Sequence, residues 1–257
     1  MYHDVAGADL EPSGFQGDGP DVYRVGMEAF VEQLDRIDRG TDRPPLRAAE
    51  LRGASEAAWL LTFDDGGASA TAAGEELARR SWPAHFFVVT DLIAQPGFLD
   101  SDEIRALAEL GHVVGSHSRS HPKRMADLSE DELLAEWSDS RAVLSETLGS
   151  EVTTASVPGG LYSRAVGRAA ARAGYTELFN SLPSRRVRSL DGCLVIGRYA
   201  IRRGTTAAEA AAAAAGEPKV WARQAVPWAL RGAVKTVAGR RYTWLRRTAL
   251  KVARSAR

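Results

Sequence analysis

The sequence predicts an α/β fold built on a parallel sheet or barrel, and three observations carry that reading. Short apolar runs recur along the chain, several of them ended by Gly or Pro, as buried strands are. Helical periodicity fills the intervals between them. Strands that alternate with helices pair in parallel. The chain has 257 residues, room for one large α/β domain or two small ones, and 44% of them are hydrophobic, enough for a sizeable core.

Residues 1–5 read as a short strand carrying His3, and 6–22, with Pro12, Gly14, Gly17, Gly19 and Pro20, read as loop. Val25, Met27, Phe30, Leu34 and Ile37 form the apolar stripe of a helix. The polar segment 39–55 is a connection. Residues 57–63 form a strand that stops at Asp64 and Asp65, residues 75–80 are helical, and 83–89 form a second buried strand. Ser101-Asp102-Glu103-Ile104 opens a helix that runs to Gly111, and Val113-Val114-Gly115 is a third strand. A histidine-bearing loop over 116–127 follows. Ser129 and Glu132 then form a capping-box pattern ahead of a helix reaching about Gly149. Residues 152–157 form a strand broken at Pro158-Gly159-Gly160, and a helix covers 163–174. Strands at 175–180 and 193–201 precede an Ala-rich helix from Thr205 through Ala215, with no internal repeat anywhere.

Charge divides the chain. Residues 217–257 hold 11 Lys/Arg against one acid, while 1–216 hold 22 against 32, so a domain over 1–216 and a basic tail over 217–257 are expected. In the tail, Trp221, Val226, Trp228, Leu230, Val234, Val237, Trp244 and Leu245 interleave with Arg231, Lys235, Arg240, Arg241, Arg246, Arg247 and Lys251. A basic amphipathic helix with aromatic anchors suits a membrane surface. The same helix docked on the acidic body is the alternative. Nucleic acid is not expected, because no recognition motif accompanies the charge. The single cysteine, Cys193, excludes an internal disulfide and fits a reducing compartment. No apolar run approaches the roughly 18–20 residues of a membrane span. The opening Met1-Tyr2-His3-Asp4-Val5 has no signal-peptide pattern. The expected location is therefore cytoplasmic, peripheral at the inner face of the membrane, with an upstream start site left open.

The stretch Leu60-Leu61-Thr62-Phe63-Asp64-Asp65-Gly66 places two acids where a central strand ends. Successive strand residues point to opposite faces, so one acid can hold a cation while the other handles a proton. Taken alone, a plain Asp-Asp-Gly turn fits as well. His117 and His121, four apart just past a strand, share a face if they lie on one helical turn. Two imidazoles and a carboxylate suit Zn2+ or a neighbouring first-row ion with open positions for water and substrate. Two surface histidines in a polar loop are the alternative.

Thr62-Phe63-Asp64-Asp65-Gly66 followed by His117-Ser118-Arg119-Ser120-His121 resembles the first two motifs of the polysaccharide deacetylase family, also called the NodB-homology domain or carbohydrate esterase family 4. Pro83-Ala84-His85-Phe86-Phe87 and Gly111-His112-Val113-Val114-Gly115-Ser116 look like two of its strands, and the resemblance covers roughly residues 1–205. It implies a distorted (β/α) barrel with a metal at the strand carboxyl ends. Asp65, His117 and His121 would be the ligands and Asp64 the general base. The metal would be Zn2+ first, with Co2+, Ni2+ or Mn2+ as alternatives. Ser156-Val157-Pro158-Gly159-Gly160 sits where the family has Arg-x-Pro-x-Gly. The Gly159 N–H would meet the oxyanion, with Pro158 and Gly160 lining the substrate.

Two departures from the family stand out. Ser156 replaces an arginine that orients the base in many relatives, and no histidine follows His121 to serve as general acid. Met1-Tyr2-His3-Asp4-Val5 resembles the Tyr-His opening of a circularly permuted branch of the family, in which the first strand carries that histidine. His3 is therefore the expected acid. His85 reads as a core or rim residue, and His112 lies on the side away from the site. Arg198 reads as a substrate contact or, equally, a structural ion pair. The expected activity is metal-dependent hydrolysis of the N-acetyl group of an amino sugar in a glycan or glycan precursor. The rivals are an O-deacetylase with the same metal site and a non-catalytic glycan-binding or scaffold protein on the same fold.

Overall fold

The computed structural model describes residues 1–7, 13–53 and 58–227. Most of the expected basic amphipathic helix, from Trp228 onward, lies outside the described residues.

A curled seven-stranded sheet forms a half-barrel in the order β3-β4-β5-β6-β7-β9-β8. Its strands are β3 (Thr62–Phe63), β4 (His85–Val88), β5 (Val113–Ser116), β6 (Thr154–Ser156), β7 (Glu177–Phe179), β8 (Arg188–Leu190) and β9 (Cys193–Ile196). All neighbours pair in parallel except β8 with β9. A two-stranded parallel sheet joins β1 (Asp4–Ala6) to β2 (Arg24–Gly26). The helices are α1 (Met27–Asp38), α2 (Ala70–Arg79), α3 (Ser101–Glu109), α4 (Glu130–Leu148), α5 (Arg164–Arg172) and α6 (Ala207–Ala214).

The open side of the half-barrel is bridged by the first residues of the chain. Tyr2 donates its N–H to Thr62 O (2.8 Å) and accepts from Asp64 N (3.0 Å), which extends the sheet past β3. On the other side the Met1 amine donates to Tyr199 O and Ile201 N donates to Met1 O, both at 2.9 Å. The Tyr2 hydroxyl bonds Gln33 of α1, whose amide donates to Thr205 O just before α6 (2.9 and 2.8 Å). One buried tyrosine thus ties the first strand to the helices that cover it.

Several elements start or end differently from the sequence expectation. Val25 belongs to β2, so the helical stripe begins at Met27. The N-cap of α3 is Asp100, whose carboxylate accepts from Asp102 N and Glu103 N. The capping box at Ser129 and the left-handed Gly149 bound α4. The segment 181–192, between the two expected strands, contains β8. Asp191 and Gly192 both adopt positive φ (49° and 83°) between Leu190 and Cys193, which pair across the turn. That is the two-residue hairpin that Asp-Gly favours. The last strand stops at Ile196 instead of Ile201, because the backbone at 197 crosses close to Leu182 and Ser184. A Cβ on Gly197 would sit 2.4 Å from Leu182 O.

Residues 218–227 are helical. Trp221 donates its indole N–H to Ala213 O of α6 (3.0 Å), and Gln224 bonds both backbone groups of Ala200. The beginning of the basic segment therefore packs on the domain. No helix of the described residues is long and apolar enough to cross a membrane.

Gly115 sits where β5 crosses β6 most closely. A Cβ there would lie 2.5 Å from Thr154 Oγ1 and 2.7 Å from Phe87. Gly115→Ala is expected to destabilise the protein by about 1–3 kcal/mol. The check is a lower urea midpoint at unchanged slope.

Candidate metal centre

Parallel strands point their carboxyl ends the same way, and here the ends of β3, β5, β6 and β9 meet around Asp64 and Asp65. Asp64 is 3% exposed. Asp65 adopts a left-handed conformation (φ 78°), and Gly66 follows at φ 71°, where a Cβ would sit 3.1 Å from Val88 Cα. Ser118 and His121 also have positive φ (64° and 54°). Three non-glycine residues in this region of backbone space mark a strained site held by its surroundings.

Asp65 Oδ1 lies 3.3 Å from His117 Nε2 and 3.6 Å from His121 Nε2. One ligand atom from each of the three residues falls within 4.8 Å of the other two. A tetrahedral zinc with bonds of about 2.0–2.1 Å separates its ligands by about 3.3–3.4 Å, so the spacing fits such an ion. The ring orientation fits too. His117 Nδ1–H donates to Ser156 O (3.1 Å), which turns Nε2 toward the Asp65 carboxylate. Burial and the His117 ring push His121 down to about 4, so it is neutral at pH 7. One carboxylate oxygen and two ring nitrogens converge on one point, an arrangement that could hold a metal ion.

Asp64 is held differently. Arg198 donates from Nη1 to Oδ1 (2.7 Å) and from Nη2 to Oδ2 (2.8 Å), and the Ser156 hydroxyl donates to Oδ1 (3.2 Å). Arg198 also donates to Ser156 Oγ (2.7 Å) and Asn180 O (3.1 Å). Burial alone would raise the Asp64 carboxyl, but Arg198, His117 and His3 together hold it well below the usual carboxylate range. Arg198 was expected as a substrate contact or a structural ion pair. It is 5% exposed with its guanidinium committed to Asp64, so the substrate role is corrected to the second alternative. It stands in for the arginine that Ser156 displaces.

His3 projects from the bridging first strand. Burial lowers its ring below the ordinary histidine value, opposed by the nearby charges of Asp65 and Asp64. Its Nδ1 is buried without a partner among the described residues, and its ring lies on Tyr23 with centroids 4.4 Å apart. Gly159 is exposed at φ 61°, with no acceptor for its N–H among the described residues. Pro158 and Gly160, expected to line the substrate, are buried. A Cβ on Gly160 would sit 2.3 Å from the Ser181 side chain, so both residues shape the turn and only Gly159 faces outward. His85 bonds Leu61 O and Ala48 N, and His112 bonds Gly74 O and Ala84 N, all at the amino ends of the strands and away from the acids.

Phe15 and Tyr23 have contacts at the site that the sequence did not flag. Phe15 lies 4.7 Å from the His121 ring, and Tyr23 covers His3. Both come from the Gly-rich excursion between β1 and β2, where isolated aromatics among Gly, Asp and Pro were the available signal.

Comparison with known proteins points the same way. Residues 52–178 match the family model described as Polysaccharide deacetylase. A gellan lyase from Bacillus sp is 33% identical over 104 residues, which is 40% of this chain and 4% of that protein's length. Among solved structures, the Streptococcus pyogenes deacetylase PplD in complex with acetate superposes with a TM-score of 0.63 at 19% identity, covering 81% of this chain and 96% of that one. A polysaccharide deacetylase from Bacillus cereus gives 0.68 at 19% identity, over 81% and 65%. IcaB from Ammonifex degensii gives 0.63 at 19% identity, over 83% and 92%. These structural likenesses establish a shared fold.

Removing the guanidinium would leave a buried carboxylate unpaired. Arg198→Met is expected to cost about 3–5 kcal/mol. Combining it with Asp64→Asn is expected to cost less than Arg198→Met alone, because no orphan charge then remains. Urea unfolding of the four proteins in the cycle measures both.

Proposed function

We propose, from the premise that the chain belongs to the polysaccharide deacetylase family, that it is a metal-dependent hydrolase removing the N-acetyl group from an amino sugar of a glycan or glycan precursor, with free amine and acetate as products. The observation that carries this is the convergence of Asp65, His117 and His121 on one point beside a separate carboxylate, Asp64.

Asp65, His117 and His121 would hold a divalent ion, which would supply Lewis acidity and lower the pKa of water at the site toward about 7. Asp64 accepts the proton of the attacking water. Arg198 and Ser156 fix its carboxylate so that it does not drift toward the cation. The unpaired Gly159 N–H is directed at the carbonyl oxygen as negative charge builds there. The leaving nitrogen departs poorly as an anion, and His3 delivers a proton to it from its imidazolium form, which burial makes the minor form at pH 7.

The Asp64–Arg198 pair also supports a second assignment. A carboxylate with both oxygens engaged by a guanidinium is a weak base. His3, neutral at pH 7 because burial lowers it, can then take the water's proton and return it to the nitrogen. An aryl acetate, whose leaving group needs no proton, separates the two assignments. His3→Ala is expected to lower kcat on an N-acetylated glycan by 100-fold or more while retaining near wild-type turnover of the aryl ester. Loss of both activities transfers the base role to His3, and wild-type turnover of the glycan removes His3 from the chemistry.

The reading as a whole is tested by acetate release from a panel of N- and O-acetylated glycans. Release from the N-acetylated members is expected to stop on chelation and return with Zn2+ or Co2+. Chelator-insensitive release counts against the metal. Release confined to O-acetylated members makes the protein an esterase.

A further inference from the structure

The turn that carries His117 and His121 owes its shape to other elements. Each amide from 117 to 121 has a named acceptor. His117 N donates to Val88 O (2.8 Å), Ser118 N to Ser116 Oγ (3.0 Å), and His121 N to Ser118 Oγ (3.1 Å). Two of the three amides between the histidines, Arg119 N and Ser120 N, both donate to one oxygen of Glu136, at 3.0 and 2.9 Å. The other Glu136 oxygen accepts from the Ser120 hydroxyl at 2.6 Å.

Glu136 lies on α4 and is 6% exposed. One helical turn on, Ser140 places its hydroxyl 2.7 Å from Ser116 Oγ, the acceptor for Ser118 N. Residues four apart on a helix share a face, so α4 presents Glu136 and Ser140 together as a template for the loop. The charge on Glu136 is costly to bury. Two amides aimed at a single oxygen and a hydroxyl on the other offset that cost, and these charge-assisted bonds are stronger to an ionised carboxylate than to a neutral side-chain amide. The Arg119 guanidinium stands 4.0 Å off and is engaged with Asp139 (2.8 Å), so it does not compete for those oxygens.

We infer that Glu136 is a positioning residue for the cation site: by gathering the amides of Arg119 and Ser120 it fixes the left-handed turn that sets His117 and His121 at ligating distance from Asp65. This rests on the metal reading above and concerns the affinity of the site, so it is tested by metal binding and needs no substrate. Outer partners of this kind are typically worth 10–100-fold in metal affinity.

The test compares wild type with Glu136→Gln, which keeps the size of the side chain but turns one acceptor into a donor. Zinc affinity is read by competition with a chromophoric chelator, and the ligand field by the visible spectrum of the cobalt-loaded protein. Glu136→Gln is expected to bind zinc 10–100-fold more weakly and to show an altered cobalt spectrum. Ser120→Ala removes one of the three contacts without orphaning an amide. It is expected to fall between the two, and it carries the test alone if Glu136→Gln does not fold. Wild-type zinc affinity and an unchanged cobalt spectrum in either folded variant overturn the inference. A wild-type protein that binds neither ion overturns it together with the metal reading. Zinc binding without acetate release from any substrate overturns the deacetylase reading and leaves the role of Glu136 intact.

Discussion

Two neighbouring carboxylates, one buried and one half-buried, at the end of one strand repel each other and lose hydration, and the rest of the site answers that problem. Each acid needs its own cation. For Asp64 the cation is covalent to the chain: Arg198 arrives from the continuation of β9 with both forks of its guanidinium on the carboxylate. For Asp65 the chain offers only two imidazole nitrogens, which are acceptors when neutral. Under the proposed metal reading, a bound ion would be the cation there. Ser156 joins the two halves, because its hydroxyl bonds the Asp64–Arg198 pair while its carbonyl orients His117.

That arrangement depends on the half-barrel being closed by its first residues. Tyr2 holds the Asp64 amide, and Met1 reaches the backbone that follows Arg198. His3 is therefore carried to the acids by the same hydrogen bonds that complete the sheet. A residue at the start of the sequence and one near its end become neighbours through strand closure, a relation that local sequence pattern does not encode.

The parts of this site that were legible in the sequence are those in which chemistry and local structure coincide. Asp64 and Asp65 follow an apolar strand, and His117 and His121 follow another, so parallel pairing alone brings their ends near each other. Arg198 was visible as a residue but not as the partner of Asp64, 134 positions away. The edge strand β8 was announced by Asp191-Gly192 and passed over, although alternation around that dipeptide is a hairpin signal. Pro158 and Gly160 were expected to line the substrate from the resemblance of their motif, whereas both are buried and Gly160 packs against Ser181. Glu136 lies inside the stripe Leu133-Trp137-Ser140-Leu144 that α4 buries. A carboxylate among residues of a buried face was the available signal for a charged group with an internal task.

The exchange of Ser156 for an arginine bears on whether the site works or merely persists. A serine at the end of β6 frees volume beside Asp64, and Arg198 occupies it from the other side, with a planar fork that matches the carboxylate whichever strand supplies it. Under the proposed reaction the need is for a guanidinium at that point in space, and here the chain after β9 delivers it. One of the two departures that favoured a non-catalytic scaffold is thereby offset within the fold itself. The other, the missing late histidine, comes down to His3, whose unpartnered nitrogen lies close enough to both acids to feel their charge. A scaffold would have no use for a buried arginine rebuilt around a carboxylate it does not employ, so the relocated pair weighs on the side of an enzyme.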